Sequence, residues 1–163
     1  MAFSTVFKLA SALVIASQLV SCVPTDDIMI QALNSHNSYR ARHHVGGVNW
    51  SQDLANHAIG LSQTCVFGHV IMSGTGQNIA MGHSSMEVAV DAWYNEVSNY
   101  DYNTGSSSNG GEILHFTQVV WKDTTEIGCG ATYCDNHQAT LYVCNYRTPG
   151  NYPNQFAANV NRP

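Results

Sequence analysis

The chain has 163 residues, 44% hydrophobic and only 10% charged, with a net charge of −5. That length and apolar content fit one globular domain with its own core and exclude a disordered chain. The few basic residues form no cluster, which excludes a phosphate-binding surface and leaves neither nucleic acid nor an anionic head-group layer as an expected partner.

The N-terminus reads as an export signal. Lys8 precedes a mostly apolar or small stretch, Leu9–Val20, and Val20-Ser21-Cys22 offers a small-residue cleavage site. This predicts a signal peptide over residues 1–22 and a secreted, extracellular, monomeric domain over residues 23–163. The apolar stretch is too short for a transmembrane span, and no later segment reaches that length, so no stable membrane anchor is expected. Of the five cysteines, Cys22 leaves with the signal. Cys65, Cys129, Cys134 and Cys144 then form an even set in an oxidising compartment, giving two disulfides among three permitted pairings. The absence of a Cys-x-x-Cys pair disfavours a structural zinc site of the usual spacing.

Thr25 is placed to cap a first helix whose opening turn carries Asp26 and Asp27, favourable at the N-terminal dipole. Ile28, Ala32, Leu33, His36 and Tyr39 or Arg40 follow at helical spacing to about Arg42. Ser51 caps a second helix with Leu54, Ala55, Ala58, Ile59 and Ser62 on one stripe. Residues 65–80 are interrupted by glycine and read as irregular, with a short strand at best. Ser84 and Glu87 suggest a capping box for a third helix, with Val88, Ala92, Trp93, Glu96 and Tyr100 on one face.

The polar run Asn103–Gly111 contains no apolar residue and reads as a mobile loop. His115–Trp121 is ambiguous between helix and strand by periodicity. Ile127–Tyr133 and Thr140–Tyr146 alternate, are rich in β-formers and flank Asp135-Asn136, which predicts a hairpin. Cys129 and Cys144 lie on its two arms, where they can pair; Cys65 and Cys134 would then close a long loop. An irregular, fraying tail is expected from about residue 147. Helices followed by strands in one core imply an α+β fold with helices packed on an antiparallel sheet.

Several segments carry a resemblance. His115-Phe116-Thr117-Gln118-Val119-Val120-Trp121 is similar to the GH[YF]TQVVW signature of the CAP superfamily (cysteine-rich secretory proteins, antigen 5, pathogenesis-related protein 1). Ile127-Gly128-Cys129-Gly130 and Leu141–Tyr146 resemble the signature segments that follow it. His36–Arg40 resembles its HNxxR, Gly76–Ala80 its GENIA and Trp93–Glu96 its WxxE. The resemblance spans about Asp26–Tyr152 and lies nearest the fungal and plant pathogenesis-related branch. It implies an α-β-α sandwich, a helical His115 segment and the disulfides Cys65–Cys134 and Cys129–Cys144.

The family carries two His and two Glu at a central cleft. These positions match His69, His115 and Glu96, while Gln77 stands where the second Glu belongs. Two imidazoles and a carboxylate can hold a divalent metal such as zinc, weakened here by the loss of one anionic oxygen. The same groups can equally satisfy one another by hydrogen bonding. No nucleophile-plus-base pair is identifiable, so no catalytic residue is assigned and no enzyme is expected.

The resemblance also implies a hydrophobic ligand. A sterol would meet Tyr100 and Tyr102 beside the polar loop, where apolar surface is thin. A fatty acid would lie between helices walled by Ile28, Ile30 and Leu33 and by Ile113, Leu114, Val119 and Val120. The fatty acid is the favoured ligand. The alternatives are a secreted interaction or signalling module without a lipid, and a metal-dependent hydrolase.

Overall fold

The computed structural model describes residues 25–163, so the expected leader and Cys22 lie outside it. In chain order the elements are α1 (Thr25–Arg42), β1 (Asn49–Trp50), α2 (Gln52–Gln63), β2 (Gly76–Met81), α3 (Met86–Asn95), β3 (Tyr100–Asp101), β4 (Ser106–Ser107), α4 (Leu114–Val119), β5 (Glu126–Cys134), β6 (Ala139–Arg147) and α5 (Phe156–Asn159). The main sheet has the order β1-β5-β6-β2, antiparallel except for a two-residue parallel pairing of β1 with β5. No described helix is long and apolar enough to cross a membrane.

The pleat distributes residues between two layers. Leu141 and Val143 of β6 and Ile79 of β2 pack with Ala58 and Leu61 of α2 on one face. Ile127, Cys129 and Ala131 of β5, with Tyr142, Cys144 and Tyr146 of β6, face α1, α3 and α4 on the other. Gly128 and Gly130 let α2 lie directly on β5. A Cβ at Gly128 would come 2.2 Å from the Ala55 backbone nitrogen, and one at Gly130 2.6 Å from that of Ile59. The result is an α-β-α sandwich with the expected disulfides: Cys65–Cys134 bridges the end of α2 to the hairpin turn, and Cys129–Cys144 crosses the hairpin.

Several local expectations shift. The six residues Gly76–Met81, expected to be a short strand at best, pair along their whole length with β6. Helix α3 is capped by Ser85, whose hydroxyl accepts from Val88 N at 3.1 Å, one residue later than the expected box. Gln31 Oε1 adds a long-range cap to Met86 N and Glu87 N. Val88 is consequently exposed, while Met86, Ala89, Val90 and Trp93 are buried. Residues 103–111 fold back as part of a small hairpin tied to Asn99.

The tail is packed against the domain. Phe156 meets Trp121 edge-on at 5.5 Å, and Asn159 accepts from the backbone of Lys122 and Asp123. Asn161 O accepts from His43 Nδ1 at 2.7 Å.

Candidate functional site

Helix α4 begins without a side-chain cap of its own, because Ile113 occupies the N-cap position. Glu96 supplies the missing acceptor from the 3-10 turn that continues α3. Its Oε2 accepts from His115 N at 3.0 Å and Phe116 N at 3.2 Å, while His115 Nδ1 donates to Oε1 at 2.6 Å. Trp93, three residues before Glu96, stacks on the His115 ring at 6.3 Å. The WxxE spacing thus puts a floor and an orienting carboxylate under one imidazole.

The second imidazole is held from the other side of the sheet. Gln77 and Asn78 are neighbours on edge strand β2, so the pleat sends them to opposite faces. Asn78 Nδ2 donates to His115 O at 3.1 Å, which ties α4 to the strand. Gln77 is buried, and its Oε1 accepts from His69 Nδ1 at 3.0 Å and Val70 N at 3.2 Å. Its Nε2 donates to Val70 O at 3.0 Å and Asn145 Oδ1 at 2.9 Å. Both histidines therefore donate through Nδ1. They line one cleft of about 350 Å³ together with Ile71, Glu112, Leu114 and Asn151.

The expected metal trio of His69, His115 and Glu96 is not assembled. Both carboxylate oxygens of Glu96 are taken up by the start of α4. Among the described residues no group of three or more His, Cys, Asp and Glu could hold a metal. Structural and catalytic zinc sites use three or four protein ligands, so the residues present do not fit one.

Gln77 is more than a carboxylate lost, since both of its amide hydrogens are used. Asn145 cannot turn to compensate, because its own Nδ2 donates to Leu54 O at 3.0 Å. Gln77→Glu is therefore expected to destabilise the fold by about 2 kcal/mol at neutral pH, as the buried Asn145 carbonyl oxygen and the backbone oxygen of Val70 would face a carboxylate. The loss should shrink in acid as the carboxyl takes up a proton. Urea unfolding at two pH values checks this.

The expected lipid contacts are mostly core. Tyr100 is buried and meets Phe116 at 5.5 Å and Tyr102 at 4.9 Å, both edge-on, and Arg162 of the tail covers the Tyr102 ring at 5.1 Å. Ile28, Val119 and Val120 are buried, and Leu33 and Ile113 pack against the same core. Ile30 and Leu114 of the lipid set are exposed, Leu114 at the rim of the histidine cleft. A groove of about 400 Å³ does run between α1 and α3. Its walls are chiefly polar, with Gln31, Asn34, Ser35, Ser38, Tyr39 and Asp91 beside Ile30.

A mostly apolar groove that the sequence reading missed, of about 280 Å³, lies where Val70 crosses the last turns of α2, lined by His57, Gly60, Leu61, Thr64 and Val70. The only advance signal for it was the exposed helical position of Gly60.

The fold and cleft define a class: a disulfide-tied α-β-α sandwich with two oriented imidazoles at the edge of its sheet. Residues 33–146 match the CAP family, described as the cysteine-rich secretory protein family, and the chain belongs to it. It is 40% identical over 139 residues to Protein PRY2 of Saccharomyces cerevisiae, covering 82% of this chain and 41% of that one. It is 36% identical over 159 residues to pathogenesis-related protein 1 of Arabidopsis thaliana, covering 94% and 95%. The chain thus spans about two fifths of the fungal relative and nearly all of the plant one.

Among solved structures, the venom allergen-like protein 4 of Schistosoma mansoni is similar with a TM-score of 0.67 at 25% identity, over 77% of this chain and 90% of that one. A structure of NaASP2 with Zn2+ is similar with a TM-score of 0.63 at 25% identity, over 78% and 83%.

Proposed function

We propose that the chain is a secreted, non-enzymatic binding protein of the pathogenesis-related type. Its ligand is a small hydrophobic molecule, with a fatty acid favoured over a sterol, and it acts as a monomer where organisms meet. The observation that carries the ligand class is the apolar groove between Leu61 and Val70. Its walls suit part of an acyl chain, and His57 gives its rim a polar group for a carboxylate. The sterol reading has less support, because Tyr100 and Tyr102 are packed into the core beneath Arg162.

Radiolabelled palmitate and cholesterol, titrated in parallel onto the purified secreted chain, test this. Saturable palmitate binding is expected. It should be lost in Gly60→Trp, which fills the groove from a position where a Cβ meets nothing within 4 Å. Palmitate binding that survives the substitution would place the ligand elsewhere. Failure to bind either lipid would remove the lipid reading and leave an interaction module.

A further inference from the structure

Four of the nine large hydrophobic side chains exposed among the described residues fall within six consecutive positions. Val66, Phe67, Val70 and Ile71 are 62%, 57%, 55% and 59% exposed. Ile71 also lines the histidine cleft, where Leu114 adds a fifth exposed apolar side chain. Isolated exposed apolar residues are ordinary, but a contiguous set marks a contact surface.

The loop that carries them is held outward at both ends. Cys65 takes a left-handed turn with φ 53°, is bonded to Cys134, and accepts from His137 Nε2 at 3.0 Å. At the other end, the Gln77 amide grips both backbone groups of Val70.

Charge narrows the choice of partner. From Leu54 to Met86 the chain contains no Asp, Glu, Lys or Arg. Within the loop the polar residues are Thr64, His69, Ser73 and Thr75, which are hydrogen-bonding groups without fixed charge. The nearest carboxylate in sequence to the disulfide is Asp135, directly after Cys134, and the whole chain is acidic. A globular partner or a second copy needs roughly 800 Å² on each side, which four exposed side chains on one loop do not supply. A bilayer makes no such demand, since it accepts a small apolar tip at the boundary between head groups and acyl chains.

We propose that the loop Val66–Ile71 docks the protein on a lipid bilayer whose surface is zwitterionic, inserting Val66, Phe67, Val70 and Ile71 below the head groups. This goes beyond the ligand reading and does not require the groove beside α2 to be filled. Docking of this kind is driven by apolar burial, so it withstands salt and gains nothing from anionic lipid, unlike docking through a basic patch.

Flotation of the purified secreted chain with phosphatidylcholine vesicles tests the proposal. The chain is expected to float with the vesicles in both low and high salt, and added phosphatidylserine should not strengthen the association. Phe67→Asp combined with Ile71→Asp should lower partitioning about tenfold or more. Both sites are exposed, so circular dichroism should stay unchanged. In a Phe67→Trp variant, tryptophan emission should shift to shorter wavelength when vesicles are added.

No flotation of the wild type, unaltered flotation of the double variant, or a strict need for anionic lipid overturns the proposal. A dimer in sedimentation that the double variant dissolves also overturns it, in favour of self-association. Gly60→Trp should float normally, and the double variant should still bind palmitate, so the docking and ligand readings fail separately.

Discussion

Arg40→Met is expected to lower the unfolding free energy by about 4 kcal/mol, a large share of what a domain this size has. The side chain is fully buried on α1, with no salt bridge to a carboxylate among the described residues. Its partners are backbone carbonyls: Nε donates to Gly46 O at 2.7 Å, Nη1 to Val119 O at 3.2 Å and Trp121 O at 2.8 Å, and Nη2 to Thr124 O at 2.8 Å. Burial lowers its pKa to about 10, which leaves it charged at neutral pH.

Methionine can fill much of the volume but donates nothing, so four carbonyl oxygens would lose the guanidinium, and those of Val119 and Thr124 would be stranded in the interior. Arg40→Lys keeps the charge without the planar fork and should cost about half as much. Urea unfolding followed by circular dichroism measures both. A midpoint for Arg40→Met within error of the wild type would show that these carbonyls find water. Because three of them lie at or beyond the end of α4, the same change should also loosen the His115 side of the cleft.

How far the sequence revealed this arrangement depended on the range of the interactions involved. The hairpin was legible to within one residue at each end, because β5 and β6 alternate locally and flank a turn. The edge strand β2 was not, since Gly76–Met81 contains one β-branched residue, Ile79, and its structure comes from pairing with β6, some 60 residues on in sequence. Arg40 was visible as the last letter of HNxxR, but its carbonyl partners belong to a turn that no local pattern brings near α1.

The site shows the same division. His69, Gln77, Glu96 and His115 were all named from motifs, and the structure does pair them. Their roles changed because hydrogen-bond demand decided them: Glu96 is committed to uncapped backbone N–H groups, and Gln77 to two carbonyl oxygens. The direction of Tyr100 and Tyr102 was not legible, because an aromatic beside a polar loop reads the same whether it faces solvent or core. What settled their direction was the docked tail, and nothing in its composition marks Asn159 and Val160 as buried.

Acid should destabilise this protein well before its carboxylates titrate. His36 is wholly buried, with Nδ1 donating to Ala32 O at 2.8 Å. Since that carbonyl can only accept, the ring is neutral and Nε2 accepts from the Tyr146 hydroxyl at 2.9 Å. Tyr146 in turn accepts from Asn78 Nδ2 at 3.1 Å, so the ring ends a chain of bonds joining α1, β6 and β2. Burial, assisted by the Arg40 charge, lowers the His36 pKa from 6.5 to about 4 against the pull of the Ala32 carbonyl.

The unfolded chain therefore takes up this proton first as pH falls, so the stability His36 contributes is full above 6.5 and drains away down to about 4. The shift corresponds to about 3 kcal/mol lost across that window. His43, also lowered by burial, acts in the same direction. Asp53, held down to about 2 by Arg147 and Ser51, adds its own loss only below the window.

Urea midpoints should accordingly fall steadily between pH 7 and pH 4. In His36→Gln they should start lower but change much less. A wild-type midpoint that stayed level over that range would mean that His36 is not held neutral in the folded protein. The effect would confine full stability to neutral surroundings, and it reaches β2 through Asn78, the residue that also holds His115 in place.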